Sequence, residues 1–161
     1  MQPQRRPSDA RLSNALTGAH GGLDHTRVPN RHFTVDEANE VLPAVRPLVE
    51  RMVAHRRALA AALARREELT TTIAGNGGGI PPQQAVEVQS HMEQEAAGVA
   101  RCIDGLEELG VLVKDLDTGL VDFPALRGGE EVVLCWRLGE DEIRYWHGLE
   151  EGSAGRKELP L

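Results

Sequence analysis

Apolar residues at helical spacing fill most of the chain between Phe33 and Leu109, with one glycine-rich interruption. Before the interruption, the apolar positions follow one another in steps that sum to threes and fours, the repeat of a coiled-coil seam. They are Ala38, Leu42, Val45, Val49, Met52, Leu59, Leu63 and Ile73. After it the pattern resumes at Ala85, Val88, Met92, Ala96, Val99, Ile103, Leu106 and Leu109. The sequence therefore predicts two helices folded into a long antiparallel, coiled-coil-like hairpin over residues 34–110.

The ends of both helices carry their own signals. Thr34 followed by Glu37 forms a capping box, in which the two residues satisfy free amide groups of the first turn. The segment 75–79 holds four glycines. It favours a turn, because each glycine inside a helix costs roughly 1 kcal/mol relative to alanine. Gly110 suits the end of the second helix.

Two prolines lie inside the first helical pattern, at Pro43 and Pro47. Each removes an amide donor and crowds the preceding turn of a helix. We therefore expect a kink or a short first segment, with helix resuming by Ala44.

After Gly110 the apolar period changes from about 3.6 to 2, which indicates strands. Four strands are predicted, at Val111–Leu116, Leu120–Phe123, Glu131–Leu138 and Glu142–His147. A three-residue loop, Asp117 to Gly119, joins the first two strands and sets Lys114 opposite Asp122. The second hairpin turns at Gly139-Glu140. The fold class is therefore α+β, a helical hairpin followed by a four-stranded antiparallel β-meander over 111–148.

The two helices differ in length, and this places the sheet. At 1.5 Å per residue, about 40 residues make a first helix of roughly 60 Å, while about 29 residues make a second of roughly 43 Å. The first helix must extend past the second over residues 34–42, near Pro43. We expect the meander to dock there, with Phe33, Ala38 and Leu42 contacting inward side chains of the sheet such as Val113, Phe123, Leu134 or Trp136.

Composition and charge describe one domain over 33–156. The chain has 161 residues and a net charge of −7, and its first 31 residues are basic, so the remainder is more acidic than the whole. Such a body should repel nucleic acids and anionic membranes. The segment 1–32 is predicted to be a disordered tail and 157–161 a C-terminal tail. Two cysteines without CxxC spacing fit a reducing cytoplasm, and no apolar run is long enough to span a membrane.

Several short motifs together resemble a bacterial family known as domain of unknown function 2203, over roughly Phe33 to Arg156. They are Phe33-Thr34 with Glu37-Ala38-Asn39 and Leu42-Pro43, Lys114-Asp115-Leu116-Asp117, Gly119-Leu120-Val121-Asp122-Phe123-Pro124, Leu134-Cys135-Trp136-Arg137, Gly139-Glu140, Trp146-His147 and Gly155-Arg156. The resemblance implies a bacterial cytoplasmic protein, and it brings no catalytic residues.

Cys135 and His147 raise the question of a metal or nucleophile pair. If the loop between their strands holds an even number of residues, the two side chains point to opposite faces of the sheet. A joint zinc site would need a bulge or an odd loop. We therefore predict no metal site, no catalytic residues and no cofactor. Pocket candidates are Asp122, Trp136, Glu140 and His147.

The pattern favours a non-enzymatic interaction module that acts through its helical hairpin, as a homo-oligomer or by docking a protein partner. The alternative is a protein that binds a small ligand or a metal, or an enzyme, with a pocket between the meander and the first helix. The first function predicts an apolar stripe left uncovered in the monomer.

Overall fold

The computed structural model describes residues 31–76 and 78–161 and contains two helices and one sheet. The helices are α1 (Val35–Asn76) and α2 (Pro82–Glu108). The strands are β1 (Leu112–Asp115), β2 (Leu120–Arg127), β3 (Glu130–Arg137), β4 (Tyr145–Gly148) and β5 (Lys157–Glu158), with a 3-10 turn at Ser153–Gly155. Neither helix is both long and apolar enough to cross a membrane, within the residues that are described. The α+β prediction is confirmed, whereas the tail predicted over 1–32 lies almost wholly outside the described residues.

Both ends of the hairpin follow the predicted local chemistry. The amide of Thr34 donates to Glu37 Oε2 at 2.8 Å, and the amide of Glu37 donates to Thr34 Oγ1 at 3.2 Å, which completes the capping box. At the end of α2, Gly110 adopts a φ of 82°. The amides of Gly110 and Val111 donate to the carbonyls of Glu107 and Leu106, the two bonds of a Schellman motif. The helix therefore ends just before Gly110, because glycine can adopt this left-handed conformation.

The first helix is uninterrupted, so the predicted short first segment is wrong. Pro43 and Pro47 are four residues apart and both are exposed. The two rings therefore lie on the side of α1 that faces away from the core. Each proline costs about 3 kcal/mol in a helix interior. The opposite face of α1 offsets this cost, because Leu42, Val45 and Val49 are buried in the core.

The two helices pack closely where glycine faces a side chain of the other helix. A Cβ atom built on Gly98 would lie 2.6 Å from the ring of His55, and one built on Gly105 would lie 3.3 Å from Leu48 Cδ2. His55 Nδ1 lies 2.7 Å from an oxygen of Glu95, at hydrogen-bond distance across the hairpin. In each of these pairs the two residues lie at the same height on the two helices. The turn of the hairpin therefore falls near residue 77, where the glycine-rich segment predicted it.

Replacing Gly98 with alanine should destabilise the protein by about 1–3 kcal/mol, because the new methyl group overlaps the His55 ring. The loss should appear although alanine favours a helix by about 1 kcal/mol over glycine. Gly105→Ala is the matched control, since the methyl group of Leu48 can move aside there. Urea unfolding of the two variants measures the difference, and a Gly98→Ala protein at least as stable as Gly105→Ala would contradict the prediction.

The sheet has five strands in the order β1-β2-β3-β4-β5, all antiparallel, rather than the four predicted. The fifth comes from the segment predicted to be a C-terminal tail, and its two residues are too few to show alternation. In the first hairpin, Leu112 lies opposite Asp122, because an irregularity between Val113 and Asp115 shifts the register. The predicted pairing of Lys114 with Asp122 is therefore wrong, although their side chains remain close.

One face of the sheet, here called the inner face, packs on the first half of α1. The rings of Phe33 and Phe123 meet edge to face with centroids 5.4 Å apart, and both belong to one core with Leu42, Leu134 and Trp136. This confirms the docking predicted from the helix lengths. The contact extends beyond the overhang, since Arg56 of α1 pairs with Asp117 at 3.0 Å.

Candidate functional site

The parity of the β3–β4 connection decides which side chains share a face. Val133 pairs with His147 and Cys135 with Tyr145, so an odd number of residues separates each pair. Cys135 and His147 therefore lie on the same face, and the prediction that they lie on opposite faces is wrong. The reason is the connection 138–144, which has an odd number of residues and includes four that were predicted to be strand.

Hydrogen bonds to the helix and to β3 hold this loop. The amide of Ile143 donates to Asn39 Oδ1 on α1 at 2.9 Å, and Trp136 Nε1 donates to the carbonyl of Glu140 at 3.0 Å. Ile143 is buried in the core. Its apolar side chain therefore has a place outside the sheet, which explains why alternation alone assigned it to a strand.

Three chemically reactive side chains meet on the outer face, the side of the sheet turned away from α1. Asp122 pairs directly with Cys135 across β2 and β3, and His147 follows on β4. One donor atom from each of the three lies within 4.8 Å of the others. Asp122 and Cys135 are fully buried and His147 is 3% exposed. We call these three residues the Asp-Cys-His cluster.

Polar atoms in this cluster are buried without hydrogen bonds. Neither carboxylate oxygen of Asp122 nor Nε2 of His147 has a hydrogen-bond partner within the part of the chain that is described. The distance from His147 Nε2 to Asp122 Oδ2 is 3.5 Å. Burying a carboxylate without hydrogen bonds is costly, so this arrangement requires a compensating positive charge.

The hydrogen bond of Nδ1 to the backbone fixes the orientation of the His147 ring and leaves Nε2 facing Asp122. Nδ1 lies 2.8 Å from the carbonyl oxygen of Gly148, which can only accept, so Nδ1 carries a proton. In the neutral ring, Nε2 is then the free acceptor that faces Asp122. A backbone carbonyl that orients a histidine in this way is the usual outer support of a metal-ligating imidazole.

Two basic side chains lie next to Asp122. The ammonium of Lys114 lies 3.9 Å from Asp122 Oδ2 at the edge of the site. The Asp122 carboxylate also raises the pKa of His147, which favours the imidazolium, although burial opposes this rise. Burial and the Asp122 charge raise the pKa of Cys135 to about 12, so the thiol is protonated and a poor nucleophile at neutral pH.

The C-terminal segment covers the strand that carries Cys135. Arg156 donates to both carboxylate oxygens of Glu140 at 2.8 Å and to the carbonyl of Cys135 at 3.3 Å. Its guanidinium also stacks 4.2 Å from the centre of the Tyr145 ring. Arg156 therefore joins β3, β4 and the loop before β4.

The four pocket candidates do not form one site. Asp122 and His147 come together, whereas Trp136 is buried on the inner face and Glu140 binds Arg156. Cys135, the third member of the cluster, was not among the predicted pocket candidates. Asp122 carried a signal that could have pointed to the site, because it is a charged residue in an otherwise apolar run, Leu120 to Ala125.

Two comparisons with known proteins found no counterpart, and one found a family. A family model described as "Uncharacterized conserved protein (DUF2203)" matches residues 31–159. No curated protein and no solved structure matches the chain.

Proposed function

Because the chain belongs to the DUF2203 family, whose description names no activity, we propose its function from the geometry alone: it binds a divalent transition metal, of which zinc fits best, at the Asp-Cys-His cluster. The observation that carries the proposal is a fully buried carboxylate that faces an imidazole nitrogen and a thiol without hydrogen bonds to either of its oxygens. A cation between these donors would satisfy all of them.

The three donors select the kind of metal. A thiolate, an imidazole and a carboxylate are all ligands of Zn²⁺, whereas Mg²⁺ and Ca²⁺ take oxygen donors and disfavour sulfur. A divalent ion with the charges of Cys135 and Asp122 would make the buried centre neutral. Binding displaces the thiol proton, because the thiolate is the ligand.

Three protein ligands leave one position of a tetrahedral zinc ion for water or another small ligand. The donors come from three adjacent strands, which are rigid supports for a metal site. The proposal therefore differs in place from the pocket expected between the meander and the first helix, because the cluster lies on the outer face.

The test is the metal content of the full-length protein. After treatment with a chelator under reducing conditions, incubation with Zn²⁺ and dialysis, we expect one zinc ion per chain by elemental analysis. Cys135→Ala and His147→Gln should each lose stoichiometric zinc. Cys102→Ala is the matched control, because this second buried cysteine lies on α2 outside the cluster.

Cobalt provides a second readout that does not depend on affinity alone. A Co²⁺-loaded wild-type protein should show thiolate-to-cobalt charge-transfer absorption, which Cys135→Ala should lack and Cys102→Ala should keep. Zinc content well below one per chain in the wild type would contradict the proposal. So would full zinc content in Cys135→Ala.

A further inference from the structure

Lys114 approaches the Asp-Cys-His cluster from the edge of the sheet. It lies on β1, an outermost strand, at the irregularity that shifts the register against β2. Its ammonium is 3.9 Å from Asp122 Oδ2, the same oxygen that lies 3.5 Å from Nε2 of His147. The side chain of Lys114 is 31% exposed, whereas that of Asp122 is fully buried. Lys114 therefore links the buried donors to the solvent-exposed edge of the sheet.

The charges around the cluster show what Lys114 lacks once a metal is bound. Two ion pairs next to the cluster balance their own charges. They are Glu140 with Arg156 and Glu151 with Lys157. Lys114 differs from these, because its acidic partner within the described residues is Asp122, the carboxylate that the metal would bind.

The metal therefore changes the charge balance at Lys114. A divalent ion is already neutralised by the thiolate of Cys135 and the carboxylate of Asp122, so the ammonium remains as a positive charge without a counterion. Because that ammonium lies 3.9 Å from an oxygen that would bind the metal, a ligand on the metal is within its reach. One negative charge on that ligand would make the whole site neutral, and a hydrogen bond from Lys114 to it would be charge-assisted.

We propose that the metal-loaded cluster binds a small monovalent anion at the open position of the metal, with the ammonium of Lys114 as its second contact. This inference rests on the proposed function, because the open position belongs to the metal. Burial limits the size of the anion. Asp122 and Cys135 are fully buried and His147 is 3% exposed, so a ligand of only a few atoms, such as formate or azide, fits beside them.

Anion titration of the Co²⁺-loaded full-length protein tests the inference. Formate and azide, each added at constant ionic strength, should change the visible absorption of the bound cobalt in a saturable way. Formamide is the matched neutral ligand, since it has the size of formate without its charge. It should leave the absorption unchanged.

Substitutions of Lys114 test the second contact. Lys114→Met should raise the dissociation constant of formate about tenfold, the loss of one charge-assisted contact. It should still bind one cobalt ion per chain, because Lys114 is not among the metal donors. Lys114→Arg keeps the charge and should stay within a few-fold of the wild type. Lys157→Met is the matched control, because the other lysine of the chain pairs with Glu151 and should not affect formate binding.

The outcomes separate this inference from the metal site itself. If cobalt binds with its thiolate charge-transfer band but neither anion changes the visible absorption, the metal site stands and the anion site is overturned. Formate binding that is equally tight in Lys114→Met and the wild type would also overturn it, as would an equal response to formamide. A wild-type protein without the charge-transfer band would contradict both proposals.

Discussion

Saturating Zn²⁺ should raise the melting temperature of the metal-free wild-type protein by roughly 8–16 °C. A ligand that binds only the folded state at a thousandfold excess over its dissociation constant stabilises that state by about 4 kcal/mol. For a chain of this size, each kcal/mol shifts the melting temperature by about 2–4 °C. The Asp-Cys-His cluster is assembled only by the paired strands, so the unfolded chain should bind the metal far more weakly.

The physical reason for a large effect is the state of the site without metal. Asp122 is fully buried, and within the described residues the basic groups paired with it are Lys114 at 3.9 Å and His147 at 3.5 Å. A metal ion replaces these distant contacts with direct bonds to three donors. Calorimetry with and without Zn²⁺ measures the shift.

The controls separate site binding from weak binding elsewhere. Cys102→Ala should keep the full zinc-dependent shift, and Cys135→Ala and His147→Gln should lose most of it. Mg²⁺ at the same concentration should have little effect, because the thiolate is a poor ligand for it. A wild-type melting temperature that does not respond to Zn²⁺ would argue against a metal in this cluster.

Leu42→Ala should cost about 2–5 kcal/mol of unfolding free energy, the range for a large-to-small substitution in a core. Leu42 is 4% exposed and belongs to the cluster of buried side chains that joins α1 to the inner face of the sheet. Trp136 is part of the same cluster, so the cavity should also change the tryptophan fluorescence. Chemical denaturation followed by fluorescence gives both quantities.

Leu69→Ala is the matched control on the same helix. Leu69 is only half-buried and lines an open cavity at the hairpin tip. Leu69→Ala should therefore lower the unfolding free energy by only a fraction of the Leu42→Ala effect. It should leave the tryptophan fluorescence unchanged. A Leu42→Ala protein that is as stable as Leu69→Ala would show that the sheet is not anchored on the first turns of α1.

The helical part of the fold follows directly from the sequence, since periodicity, capping residues and glycines all point to the same hairpin. Helix lengths alone also placed the sheet against Phe33 and Leu42. The predictions that were wrong are those in which a tertiary contact outweighs a local sequence preference. Two prolines remain inside α1, because they lie on its exposed side while the opposite face of the helix is buried in the core.

The site was missed for a similar reason. Ile143 fits the alternation of a strand, but its amide bonds to Asn39 of α1 and its side chain enters the core. The strand therefore begins only at Tyr145, and the connection over residues 138–144 is odd, whereas a two-residue turn at Gly139-Glu140 would be even. The odd length of this connection places His147 on the face of Cys135. Alternation within the sheet could not reveal that Ile143 leaves the strand, because its contact with Asn39 spans 104 residues.

Because the strands of the sheet follow one another along the chain, the Asp-Cys-His cluster and the core differ in the loop closures that they need during folding. Asp122, Cys135 and His147 lie on three consecutive strands, so two short loop closures within residues 122–147 bring their donors together. The entropy of closing a loop rises only slowly with its length, but contacts between distant segments form late and slow the folding of a domain. Docking of the sheet on α1 is such a contact, since Phe33 meets Phe123. The three side chains of the Asp-Cys-His cluster therefore belong to a local folding unit, and the core on the other face of the sheet is completed by contacts between segments that lie far apart in the chain.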